Sequence, residues 1–433
     1  LNGTDGKPRR LDARQHGLTL DRVSPNALTV ARTLQDAGHE GLIVGGCVRD
    51  LLLGLTPKDF DVATDATPDR VRTLFRRSRL VGRRFRIAHV RFGRELIEVS
   101  TFRRAVADEA DERRSHSEAG MILRDNVYGN LEEDAFRRDF TINALYYDPE
   151  LEEIIDYVGG LEDLESGHLR FIGEAGERIR EDPVRALRAI RFQAKLGCEL
   201  DREISDCFPE AAQLMSAVPP ARLFDEVQKI LMSGGAERAW QLLAPTPLRT
   251  ALFPGSNPDD PLIERAMRNT DERIAQDKPV TPGFLLAVLL WRDYRARVAE
   301  FDGELKPAEA RLHAAGDCLA EQQQIIAIPR RFSQFIRDVW NLQDRLESRV
   351  PRSAERLAGH VRFRAAYDFL LLRSETGDDV ADAAEWWTRY QEVGPEARRS
   401  MIDERRSGQG PKKRRRRRRR RGPSDADAST DPV

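Results

Sequence analysis

Two aspartates, Asp59 and Asp61, stand two residues apart in the segment KDFDV. On an extended strand that spacing turns both carboxylates to one side. Like charges ~7 Å apart on one face are costly unless a cation lies between them. Hard oxygen donors of this kind suit Mg²⁺, above all when the metal keeps waters and shares phosphate oxygens. Glu98, in ELIEVST, falls on the strand face opposite to Ile97 and Val99. It becomes a third carboxylate if the two strands are neighbours, and is otherwise an exposed strand residue. Two Mg²⁺ ions on such a cluster can activate a hydroxyl nucleophile and stabilise a leaving pyrophosphate.

Three further segments carry chemistry. In LIVGGCVRD a strand runs into Gly45-Gly46, and a helix with Arg49 follows at once. Paired glycines let a backbone approach a ligand closely, phosphate is the natural guest of such a turn, and Arg49 adds a matching charge. In RRDFTIN, Arg137 and Arg138 precede Asp139. This is either a surface ion pair or a triphosphate contact, Arg138, with Asp139 orienting it or its loop. In EDPVRALRAIRF, Asp182 before Pro183 reads as a helix cap. Val184, Leu187, Ile190 and Ala194 form an apolar stripe beside a cationic one of Arg185, Arg188 and Arg191. The nearby carboxylates are too few for three arginines, and planar guanidiniums suit phosphates or base edges.

The elements that position these residues alternate quickly. Helices are expected over Asn26–Ala37 and Val48–Leu53, and from Thr67-Pro68 to about Ser78. Short strands are expected at 41–44, Phe60–Val62 and Ile142–Tyr147, with a hairpin of Arg86–Phe92 and Glu95–Thr101 turning at Gly93. Residues 103–120 read as a polar loop. From Arg178 helical periodicity dominates, broken at prolines near 219, 245–261 and 279–282.

The 433 residues carry 71 Lys+Arg against 72 Asp+Glu, a formal net charge of −1. That total hides an asymmetry. Lys412, Lys413, Arg414, Arg415, Arg416, Arg417, Arg418, Arg419, Arg420 and Arg421 follow one another, and three aspartates come after them. Set both groups aside and the first 411 residues are strongly acidic, so a polyanionic partner is expected for the tail. The four cysteines are scattered without zinc-like spacing and suit a reducing compartment. The longest apolar run, Phe284–Trp291, is far short of the ~20 residues of a membrane span, and the N-terminus lacks the apolar core of a secretory signal. The expected location is the cytoplasm.

In order from Leu42 to Leu196, the motifs GGCVRD, KDFD, RRDFTIN and EDPVRALRAIRF resemble those of the class II nucleotidyltransferases. These are the bacterial poly(A) polymerases and tRNA CCA-adding enzymes of the DNA polymerase beta superfamily. The resemblance implies an α+β fold: a DNA polymerase beta-type nucleotidyltransferase head with a mixed sheet, all-helical neck and body domains, and a disordered basic tail. The expected divisions are a flexible lead-in 1–25, head 26–173, neck 174–260 for base and RNA binding, body 261–397 and tail 398–433. By the same resemblance Asp59 and Asp61 bind catalytic Mg²⁺ and Asp139 belongs to the active site. Gly45, Gly46, Arg49 and Arg138 meet the triphosphate, while Asp182 and Arg185 read the base with Arg188 nearby. Similarity of segments 79–93, 124–147, 219–231 and 363–373, with the basic C-terminus, points to the poly(A) branch. The implied activity adds AMP from ATP to RNA 3′ ends without a template, in RNA processing and decay, and the tail holds RNA phosphates. CCA addition to tRNA is the alternative. A catalytically dead RNA-binding protein is less favoured, because Asp59, Asp61 and Arg185 are intact.

Overall fold

The structure, a computed structural model, describes residues 7–82, 86–104, 128–348 and 353–408. Most of the expected loop at 103–120 and the whole cationic run at 412–421 lie outside the described residues. The described chain divides into two compact units at Trp340/Asn341.

The first unit is built on an eight-stranded mixed sheet in the order β1-β8-β7-β2-β3-β6-β5-β4. Its strands are β1 (Arg9–Leu11), β2 (Leu42–Val44), β3 (Asp61–Thr64), β4 (Ser78–Val81), β5 (Ile87–Phe92), β6 (Glu95–Thr101), β7 (Leu145–Asp148) and β8 (Glu153–Asp156). β3 and β6 run parallel, with Asp61 opposite Glu98, and the other pairings are antiparallel. Apolar alternation divides the strands between two faces. Leu42, Val44, Ala63, Tyr146 and Ile155 pack with Leu131 and Ala135 of the helix Leu131–Phe136. The helix Pro25–Asp36, capped by Ser24, packs against β2, β3 and β6 and buries Ala27, Val30, Ala31 and Leu34. It lies so close that a Cβ on Gly41 would come within 2.3 Å of the Ala31 carbonyl oxygen.

Several expectations need correction. Residues 9–11 are no flexible lead-in: they form β1, which pairs with β8 and covers that edge of the sheet. The helix opened by Thr67-Pro68 ends at Leu74, because buried Phe75 turns extended and Ser78 already pairs with Val90 in β4. The strand expected at Ile142–Tyr147 starts at Leu145. Thr141–Asn143 form a tight 3₁₀ turn on which Gly160 packs so closely that a Cβ there would meet the Thr141 carbonyl at 2.2 Å.

Beyond Ala175 the described elements are helices, apart from the two-residue strand Glu199–Leu200. The prolines that interrupt the sequence pattern open helices: Pro220, Pro247, Pro261 and Pro282 each occupy the first turn, where the missing N–H costs nothing. In the second unit Leu346, Phe363, Tyr367 and Trp387 form a core of their own. The helix Pro395–Gly408 runs across the expected start of the disordered tail at 398, so order extends at least to its end.

Candidate active site

The glycine turn follows directly from β2. Gly45 has φ 83° and ψ −132°, a conformation that only glycine adopts freely. Its N–H donates to the Leu145 carbonyl at 3.0 Å, which pins the turn to β7, and its carbonyl accepts from Arg49 N at 3.1 Å to start the helix Gly46–Leu52. Cys47 is buried in this turn, and burial pushes its thiol up to about 12, so it is inert.

Asp59 is exposed, two residues before β3, and Asp61 is the first residue of that strand. The register sets Asp61 beside Glu98, on the sheet face that also carries Val44 and Tyr146. Burial, together with Glu98 and Asp59 and partly offset by Arg138, raises the Asp61 carboxyl to about 6. Glu98 is also approached by His89 from β5, at 3.4 Å. Asp59, Asp61 and Glu98 therefore belong to one electrostatic neighbourhood, although Asp59 lies outside the strand on which the spacing argument set it. Among the described residues, no three His, Cys, Asp or Glu side chains close around a point as a complete metal cage.

Arg138 reaches this neighbourhood from the opposite side. It does not pair with adjacent Asp139. Its Nε and Nη2 donate to Asp134 at 3.2 and 3.0 Å and its Nε to the Tyr146 hydroxyl at 2.9 Å, while Nη1 faces the Gly45 turn. Asp134 is almost wholly buried. Burial opposes its charge, but Arg138, Arg137 and the Tyr146 hydroxyl hold its carboxyl at about 2. Asp134 and Tyr146 are partners of Arg138 that sequence reasoning missed; a carboxylate one helical turn before Arg138 was the available signal.

Asp139 turns instead to the helix Val184–Leu196, where Arg188 Nε and Nη2 donate to its Oδ2 at 2.7 and 2.5 Å. Burial opposes this charge too, but Arg188 and the Phe140 N–H bring the carboxyl to about 2. The supposed surplus of arginines on this helix is not found. Arg185 pairs with Glu181 at 2.6 Å, and Arg191 with buried Glu226 at 2.6 Å. Glu181 is the local partner that the spacing offers, while Asp139 and Glu226 come from distant parts of the chain, which a local count overlooks. Asp182 accepts from Val184 N at 3.2 Å, as a cap should, and its other oxygen pairs with Arg222. Arg49, 2% exposed, is held by Asp50 at 2.9 Å and by Asn143 at 2.5 Å, and Lys195 pairs with the far oxygen of Asp50 at 3.0 Å. The geometry thus joins the glycine turn, the carboxylates and Arg138 at one sheet end. A buried polar chain leads from Arg49 through Asn143 and Asp139 to Arg188.

The chain is similar to known proteins. A family model described as Poly A polymerase head domain matches residues 42–170. One described as a probable RNA and SrmB-binding site of polymerase A matches 197–259, and one described as the polymerase A arginine-rich C-terminus matches 303–421. A protein named Poly(A) polymerase I from Escherichia coli O6:H1 is 44% identical over 408 residues, 90% of this chain and 87% of that one. A CCA-adding enzyme from Bacillus subtilis is 38% identical over 53% of this chain and 55% of its own. Among solved structures, the apo form II of a CCA-adding enzyme shares the fold, with TM-score 0.63 at 21% identity over 91% of this chain and 93% of that one.

Proposed function

The chain belongs to the poly(A) polymerase family, and from that premise we propose that it adds AMP from ATP to RNA 3′ ends without a template, releasing pyrophosphate. One observation carries the choice within the wider group. Similarity to the poly(A) polymerase runs through 90% of the chain, including the helical part and the arginine-rich end, whereas the CCA-adding relative matches about half.

In this reading Asp59 and Asp61 hold Mg²⁺, with Glu98 beside them. The donor set fits: burial first, and then repulsion from Glu98 and Asp59, raise the Asp61 carboxyl, and a divalent cation relieves that repulsion. When bound, Mg²⁺ supplies Lewis-acid polarisation of the α-phosphate and a more acidic attacking 3′-hydroxyl. The side chains of the chain do the positioning. Arg138, clamped by Asp134 and Tyr146, presents Nη1 at the Gly45 turn, where the triphosphate is bound with little reorganisation. Gly46 and Arg49 complete that end. Asp182 and Arg185 read the base from the start of the arginine helix, with Asp139 and Arg188 behind them. The basic tail holds the RNA strand through its phosphates. The cytoplasm is the proposed location, where four free cysteines persist.

Incubating the protein with RNA, Mg²⁺ and ATP alone tests the reading. Long homopolymeric tails are expected. Addition of one A, or a requirement for CTP on truncated tRNA, would assign the chain to CCA addition instead.

A further inference from the structure

We infer that Asn143 is a positioning residue that couples Arg49, at the triphosphate end of the nucleotide, to the Asp139–Arg188 pair at the base end. The inference rests on the roles proposed above for Arg49 and Arg188, and it adds a mechanical link between them.

Asn143 ends the 3₁₀ turn Thr141–Asn143 and is 7% exposed. Its side-chain oxygen accepts from Arg49 Nη1 at 2.5 Å, and its side-chain nitrogen donates to Asp139 Oδ1 at 3.3 Å. Asp139 Oδ2 in turn holds Arg188. A carboxamide suits this place because it accepts from a cation on one side and donates to an anion on the other. A carboxylate would face Asp139 with like charge, and a serine hydroxyl is too short to span both.

A second contact runs alongside the first. The guanidiniums of Arg49 and Arg188 lie over the same Phe192 ring, at 5.1 and 5.4 Å from its centre, and Arg191 lies over it at 4.4 Å. Three cations around one ring repel unless each has its own anion, and Asp50, Asp139 and Glu226 supply these. Arg49 and Arg188 are therefore packed on one surface and bridged by one amide. Displacing either shifts the hydrogen bonds of the other.

The test measures dissociation constants of a non-hydrolysable ATP analogue and of AMP on the full chain. Arg49→Ala, Arg188→Ala and the double variant are compared in the wild-type and Asn143→Ala backgrounds. Asn143→Ala should weaken the analogue about ten-fold, the effect of one lost hydrogen bond to a charged group, and should weaken AMP, which meets only the base end, by less. With Asn143 present the two arginine effects should be non-multiplicative, and without it the coupling should shrink to what the shared Phe192 ring carries. Multiplicative effects in the wild-type background, coupling undiminished by the loss of Asn143, or equal losses for the analogue and AMP would each overturn the inference. Asn143→Asp provides a second variant if alanine prevents folding. It keeps a partner for Arg49 but repels Asp139, and should weaken the coupling as well. Wild-type protein that fails to bind the analogue would overturn the functional reading and this inference together. Independent arginines in a protein that binds ATP overturn the inference alone.

Discussion

Because burial beside Glu98 and Asp59 raises the Asp61 carboxyl to about 6, its charge costs the folded chain free energy at neutral pH. A carboxyl raised above its ordinary value favours the fold while protonated, and that contribution is lost as pH rises through 6. Without Mg²⁺, Asp61→Asn should therefore be more stable than wild type at pH 7, by up to about 3 kcal/mol, with no gain left at pH 4. Denaturant titrations at the two pH values check this. The same variant and Asp59→Asn should each abolish AMP transfer while retaining RNA binding; normal turnover in either would remove them from the metal site. Asp134 has the opposite sign. Held at about 2, it stabilises the fold above its ordinary value near 4, and that stabilisation is lost as pH falls through 2. Asp134→Asn should cost about 2 kcal/mol at pH 7, with a much smaller cost at pH 2. The aspartate pair stood out by its two-residue spacing, but the strand premise holds only for Asp61, since Asp59 lies two residues before β3. Asn143 was not legible, since its value lies in partners that only the tertiary structure supplies, whereas Asp134 stands three and four residues before its partners Arg137 and Arg138.

At the scale of the element, the arginine helix Val184–Leu196 shows what periodicity can and cannot reveal. Its apolar stripe was readable, and Val184, Leu187 and Ile190 are buried as that stripe requires. The fate of its charges was not, because Asp139 and Glu226 lie far away in sequence. Glu226 is 3% exposed and faces Arg191. Glu226→Gln leaves that arginine partly buried without its anion and should destabilise the chain by about 3 kcal/mol, read from thermal melts. Glu226→Asp should recover part of the loss. Element ends were less legible than element types. The helix after Thr67 and the strand after Asn143 were each misjudged where a buried aromatic or a tight packing contact overrode local pattern.

At the scale of the whole molecule, the mixed sheet followed by helices was legible from the ordered motifs and the fading of strand signals after residue 174. The pairing of β1 with β8 was not, because a three-residue polar strand has no periodicity to read. The charge asymmetry belongs to this scale too. RNA affinity should fall steeply as salt rises, and removing residues 412–421 should flatten that dependence; an unchanged slope would release the tail from RNA binding. The bond from Gly45 N–H to the Leu145 carbonyl has a consequence in time as well as in space. β2 lies between β3, made soon after it, and β7, made much later. During synthesis the glycine turn must wait for that late strand, as contacts between distant parts of a chain form slowly. The Gly45 turn thus takes its final form only once β7 has joined the sheet.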